Sequence, residues 1–163
     1  MFRLSLYLHI MGAIIAFGPS FTFPILGRYM AREPQHRNFT LRAIETIHLR
    51  MMFPVALTML VSGAGLIYFG QVDLAQPWLI ASLVIYFLAL GVGLFLQGPA
   101  MSRLIEISSR PMPVGPGAAT AIAPELKREL HGLRLRTQVG RNILALSLFT
   151  IAALMIWRPG GTV

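Results

Sequence analysis

Hydrophobic and polar positions fall into long blocks along this chain instead of the fine alternation of a water-soluble fold. From Leu4 to Leu26 no residue is charged, and the block holds a single histidine, His9. At about 1.5 Å of rise per residue, a helix of that length crosses the roughly 30 Å hydrocarbon core of a bilayer. Three further apolar blocks follow, and together the four predict membrane-spanning helices over residues 4–27, 48–69, 78–98 and 141–157.

Residues inside and between the blocks refine each span. Arg3 gives the first run a basic start, but the run is long for a cleaved leader and no small-residue cleavage site follows Ala16, so the helix is expected to be retained. Gly18-Pro19 and Pro24 are expected to kink its second half. The segment from Arg28 to Arg50 carries five arginines against Glu33 and Glu45 and cannot cross. Asn38 or Thr40 is placed to cap a helix that rises from the membrane surface into the second apolar run, with Pro54 one turn inside it. In that run Ser62-Gly63-Ala64-Gly65 presents the small surface that lets membrane helices approach closely.

A short turn from Gly70 to Pro77 makes the second and third helices antiparallel neighbours. Trp78 is expected to anchor the third at the membrane interface, and Gly91, Gly93 and Gly98 suit tight packing. Pro111 to Gly117 reads as a flexible loop. Pro124 suits the first position of an amphipathic helix with Leu126, Leu130 and Leu133 on one stripe, expected to rest on the inner membrane surface, and Arg158-Pro159 ends the fourth span.

Lysine and arginine are distributed five in the first connection, none in the second and seven in the third, with one at each terminus. The positive-inside rule therefore places both long connections in the cytoplasm. The expected fold is all-α: a polytopic four-helix membrane bundle running up-down-up-down, both termini outside, in the bacterial inner membrane. Composition agrees, with 55% hydrophobic and 12% charged residues and a mean hydropathy of +0.67. The 163 residues suit one integral membrane domain, 1–163, with no separate soluble domain. A net charge of +8 would suggest nucleic acid in a soluble chain, but these basic residues flank apolar spans and suit the anionic lipid of the cytoplasmic face. The lack of cysteine excludes disulfides, thiolate metal sites and covalently attached haem.

Candidate chemistry rests on the four histidines, since neutral imidazole is a common ligand of haem iron and other metals. His36 and His131 fall in basic segments and read as solvated; His48 sits near the cytoplasmic start of the second helix. His9 alone lies within an apolar span, where an ionisable group is costly and has a partner or a task. Two roles stay open for it: a structural bond to a serine or carbonyl of another helix, or ligation of a metal or tetrapyrrole. Helix one descends from outside while helix two ascends from inside, so His9 and His48 cannot share one iron. Met59, Tyr68, Ser82 and Met155 have suitable depth for a second axial ligand. Arg50 and Arg141, where helices two and four enter the membrane, suit snorkelling or an anion such as a haem propionate or lipid phosphate. No nucleotide loop, HExxH, Gly-x-Ser-x-Gly or paired intramembrane carboxylate points to a hydrolase or a carboxylate-based pump.

His9, Pro24 and Tyr29 with Arg28 in helix one, the series Arg50, Pro54, Leu57-Thr58 and Gly63 in helix two, and Trp78-Leu79 opening helix three resemble the J-type protoporphyrinogen IX oxidases, four-helix bacterial membrane proteins of haem synthesis. The resemblance implies a haem ligand at His9. In that family a helix-three lysine shortly after the Trp-Leu pair works with the histidine; here the position is approximately Ser82, and the third span has no lysine. A group of uncharacterised bacterial predicted integral membrane proteins, distantly similar to these oxidases and to the copper-resistance D-type proteins, is a closer resemblance and implies a fold only. Two expectations follow. The first is a membrane protein binding b-type haem through His9 for electron transfer or porphyrin redox chemistry, a membrane oxidoreductase if an enzyme, with Arg50 and Arg141 as further cofactor contacts. The second is a non-enzymatic accessory subunit of a larger membrane complex, docking through its glycine-lined faces.

Overall fold

The computed structural model of the chain describes residues 1–110 and 124–160. The loop expected over Pro111 to Gly117 lies outside them. Among the described residues there is no strand, and four helical runs are long and apolar enough to cross a membrane: Phe2–Arg32, Pro34–Gly70, Pro77–Ser108 and Pro124–Trp157. Each has more than 30 residues, whereas a span needs about 20. The surplus lies at the arginine-rich ends, so the helices project beyond the apolar blocks that predicted them.

Two compact units make up the chain: Met1–Ala81 with the residues from Leu154 onward, and Ser82–Ala153. In the first, α1 (Phe2–Phe17) passes through a 3₁₀ turn at Gly18–Phe21 into α2 (Phe23–Arg32). Pro19 and Pro24 both sit in first turns, where a missing N–H costs nothing, so the expected kink is a change of helix type. After a turn at Pro34–His36, α3 (Arg37–Ile47) continues through a π-helical turn, His48–Met52, into α4 (Phe53–Gly70). Neither Asn38 nor Thr40 caps α3. The Pro34–His36 turn leads straight into the helix, so both residues already lie inside it: Asn38 Oδ1 accepts from Arg42 Nε at 2.9 Å, and Thr40 Oγ1 donates to the His36 carbonyl at 3.0 Å.

Helix α4 ends at Gly70, with Gln71 in the left-handed conformation (φ 50°). The Val72 N–H then closes back on the Ile67 carbonyl at 3.1 Å, and Asp73 Oδ1 accepts from the Ala75 N–H at 2.9 Å before α5 (Pro77–Gly91) begins. Trp78 is not the lipid-facing anchor expected of it. The side chain is buried, with the Arg158 guanidinium 5.5 Å from its ring centroid, while the exposed tryptophan is Trp157. A cation over an indole face satisfies the ring that membrane lipid was expected to cover.

In the second unit the rest of α5 enters a π-helical turn at Val92–Gln97 and continues as α6 (Gly98–Ser108), and α7 (Pro124–Trp157) enters from the polar side. Both π turns precede a proline. The ring of Pro54 would crowd the carbonyl of Arg50, and that of Pro99 the carbonyl of Phe95; both carbonyls lie within π turns, where the widened backbone relieves the clash. The amphipathic helix expected to rest on the membrane surface is continuous with the fourth span. No proline interrupts residues 125–157, and its stripe residues Leu130 and Leu133 are buried within the protein instead of in lipid headgroups.

Candidate functional site

Helix α1 lies antiparallel on α4 through residues three or four apart, Phe2, Ser5, His9, Gly12 and Ala16, which share one helix face. Opposite them stand glycines. A Cβ added at Gly70 would sit 3.1 Å from the Phe2 ring, one at Gly65 would sit 2.6 Å from Ser5 Oγ, and one at Gly63 would sit 3.4 Å from His9 Cε1. Farther along the polarity reverses: a Cβ at Gly12 would meet Met59 Cγ at 3.0 Å and Val55 at 3.7 Å. The small stretch Ser62–Gly65 thus serves the close approach expected of it, with α1 as its partner.

His9 is half-buried at the centre of this seam, and its Nδ1 lies 3.0 Å from Ser62 Oγ. The Ser62 hydroxyl itself donates to the Met59 carbonyl at 3.2 Å. A hydroxyl has one proton and a carbonyl only accepts, so with that proton on the Met59 carbonyl Nδ1 donates to Ser62. The neutral ring then keeps its lone pair on Nε2. Metal-bound histidines are held in this way, the distal N–H tied to an oxygen and the other nitrogen left basic. The serine, buried in an apolar seam between two helices, thus has a partner on each side, and the ring is held in orientation.

Within the first unit the other expected residues are not drawn to His9. Arg50 is exposed in the π turn, twelve residues before Ser62 and so about 18 Å away along the helix. His48 lies in the same turn, which keeps it clear of the His9 level. Met59 packs on Gly12, one turn from His9; Tyr68 is exposed. In the second unit Ser82 is buried, and Arg141 is half-buried beside Gly140, whose missing Cβ faces Leu96 and Gln97 at 3.7 Å. His36 lies 3.8 Å from Glu33 in the exposed turn before α3, and His131 is exposed on α7. A bond to a serine of another helix was one of the two roles expected of His9, and the structure shows it; Ser62 as that serine was not singled out. The signal for the pairing was present in the three-and-four spacing of small and polar residues in α1, which only the offset of α1 along α4 turns into a contact.

A family model of predicted integral membrane proteins, DUF2269, matches residues 4–159. The chain belongs to this family. The match takes in all four spans, and with them both partners of the His9–Ser62 bond. No curated protein and no solved structure matches this DUF2269 protein.

Proposed function

We propose that this DUF2269 protein is a haem protein of the bacterial inner membrane, with His9 Nε2 as an axial ligand, both termini outside and the arginine-rich helix ends in the cytoplasm. The observation that carries the reading is the relay from His9 Nδ1 through Ser62 to the Met59 carbonyl, which leaves a basic nitrogen on a ring held at membrane depth. Among the described residues, histidine and carboxylate side chains nowhere gather in threes. A lone imidazole suits a group that brings its other ligands with it, as a tetrapyrrole does with four nitrogens. The resemblance of the His9 and Arg50-Pro54 motifs to the porphyrin oxidases points the same way. When bound, haem would supply one-electron chemistry within the bilayer; the protein's part is to hold the ring and exclude water.

Protein purified from haem-supplied cells is expected to show a Soret band that His9→Ala abolishes and His48→Ala leaves intact, with helix content unchanged in both. A colourless wild-type protein overturns the reading. An accessory-subunit role is the second reading, favoured by Gly93, whose missing side chain faces open space on a helix with Phe87, Leu88 and Phe95 exposed. Recovery of a stoichiometric partner in mild detergent tests it.

A further inference from the structure

Beside the second π turn, α6 and α7 enclose a groove of about 420 Å³ lined by Phe95, Leu96, Pro99 and Ala100 on one wall and Arg128, Gly132, Leu133 and Arg136 on the other. Arg103 and Glu129 close it. Its position is defined by chemistry: Phe95 and Leu96 end the apolar block of the third span, and the arginines begin the polar extension. One end therefore faces lipid tails and the other the headgroup layer.

Arg128, Gly132 and Arg136 stand four residues apart on α7, so they share one face, with the outer two about 12 Å apart along the axis. Nothing lies within 4 Å of the place where a Gly132 Cβ would be, so the space between the two guanidiniums is open down to the backbone. Among the described residues neither Arg128 nor Arg136 is paired with a carboxylate. Glu129, the one carboxylate lining the groove, is occupied: its Oε1 accepts from Arg103 Nε at 2.7 Å. Arg103 in turn donates to Glu106 at 2.6 Å.

We propose that this groove binds the phosphate of an anionic phospholipid of the cytoplasmic leaflet between Arg128 and Arg136, with the acyl chain lying against Phe95 and Leu96. The inference rests on the orientation given above and is independent of haem. Arginine guanidiniums match phosphate oxygens in geometry as well as charge. The preference for an anionic lipid follows from Glu129: with its carboxylate held by Arg103, the ammonium of a zwitterionic headgroup would meet only guanidiniums. The apolar wall distinguishes a lipid from a free anion, which would use the arginines and leave Phe95 and Leu96 uncovered.

Native mass spectrometry of the full chain in detergent, titrated with dioleoylphosphatidylglycerol, dioleoylphosphatidylcholine or inorganic phosphate, tests the site. The phosphatidylglycerol is expected to bind about tenfold tighter than the phosphatidylcholine, and inorganic phosphate at equal concentration is expected not to displace it. Arg128→Gln and Arg136→Gln should each weaken phosphatidylglycerol binding about fivefold. Gly132→Leu, which keeps every charge and favours the helix, should weaken it as much by filling the gap. Arg134→Gln, on another face of α7, should change it less than about twofold. Equal binding of the two lipids, displacement by phosphate, or an Arg134→Gln loss equal to that of Arg128→Gln each overturns the site. Labelling of single cysteines placed at Asp73 and Arg134 in intact cells reads the orientation separately, and circular dichroism confirms that each variant is folded.

Discussion

Where α1 lies on α4 each close contact sets a glycine against a side chain of the partner helix, and where α6 runs beside the first half of α7 the buried residues are mostly aliphatic, with charged ones at the edge. On the first contact Gly63, Gly65, Gly70 and Gly12 bring two helices together, with one imidazole–hydroxyl bond at the centre. On the second, Ala100, Leu104, Ile105, Ile107, Leu130 and Leu133 are buried, with Arg103 bridging Glu106 and Glu129 at the edge. The difference follows the solvent. Lipid tails are as apolar as leucine, so burying leucine against another helix gains little there, and close approach with a hydrogen bond is what remains. Beyond the apolar block water is the competitor, and each buried Leu or Ile side chain contributes about 1.5–3 kcal/mol. The apolar blocks accordingly leave Leu146, Phe149, Leu88 and Phe87 exposed, while the polar extension buries its few hydrophobic residues well.

Substitutions in the two regions sharpen this contrast. The largest effect is expected for Ile107→Ala: the side chain is 0% exposed, and its truncation should cost about 2–5 kcal/mol by thermal melting in detergent. Gly65→Ala comes next, at about 1–3 kcal/mol, because the new methyl would meet Ser5 Oγ and Cβ at 2.6 and 3.3 Å. The double variant Ser5→Gly/Gly65→Ala should recover most of that loss; failure to recover would mean that the seam is not held by close approach. Ser62→Ala removes the acceptor of His9 Nδ1 and should cost about 1 kcal/mol, in line with hydrogen bonds between membrane helices. Arg103→Gln is expected to do least, since its partners are solvent-accessible, and the difference from wild type should vanish in about 1 M salt, where the Debye length is about 3 Å. An Arg103→Gln loss that survives such salt would make the ion pairs, and not the buried aliphatics, the support of the extension.

The four spans were legible because each is an apolar block long enough to cross a bilayer and flanked by arginines, a pattern that owes nothing to packing. The extension of the helices beyond those blocks was not. Helices before the second span and after Pro124 were expected from a capping residue and an apolar stripe; that the latter runs unbroken into the fourth span, and that Leu41, Ile44, Leu130 and Leu133 are buried within the protein, was not. His9 was legible as an ionisable group at membrane depth, and a serine was one of the partners open to it. Ser62 itself was hidden, because which residue faces His9 depends on how far α1 is slid along α4. Trp78 misled for a similar reason: its place at a span end suggested lipid, and the cation from Arg158 covers it from another part of the chain.

The π turn at His48–Met52 accommodates one residue more than an α-helical turn would. In an α-helix each residue advances the azimuth by about 100°. Deleting a single residue there would let the backbone revert to α geometry while the anchoring of α3 stayed as it is. Everything downstream would then keep its azimuth, because the residue removed is the extra one that the wide turn absorbs. Ser62, Gly63 and Gly65 would stay on α1, and His9 would keep its hydroxyl. A one-codon deletion in the regular α-helix between Pro54 and Ser62 would instead swing the serine by about 100° and undo the imidazole's surroundings without touching either partner.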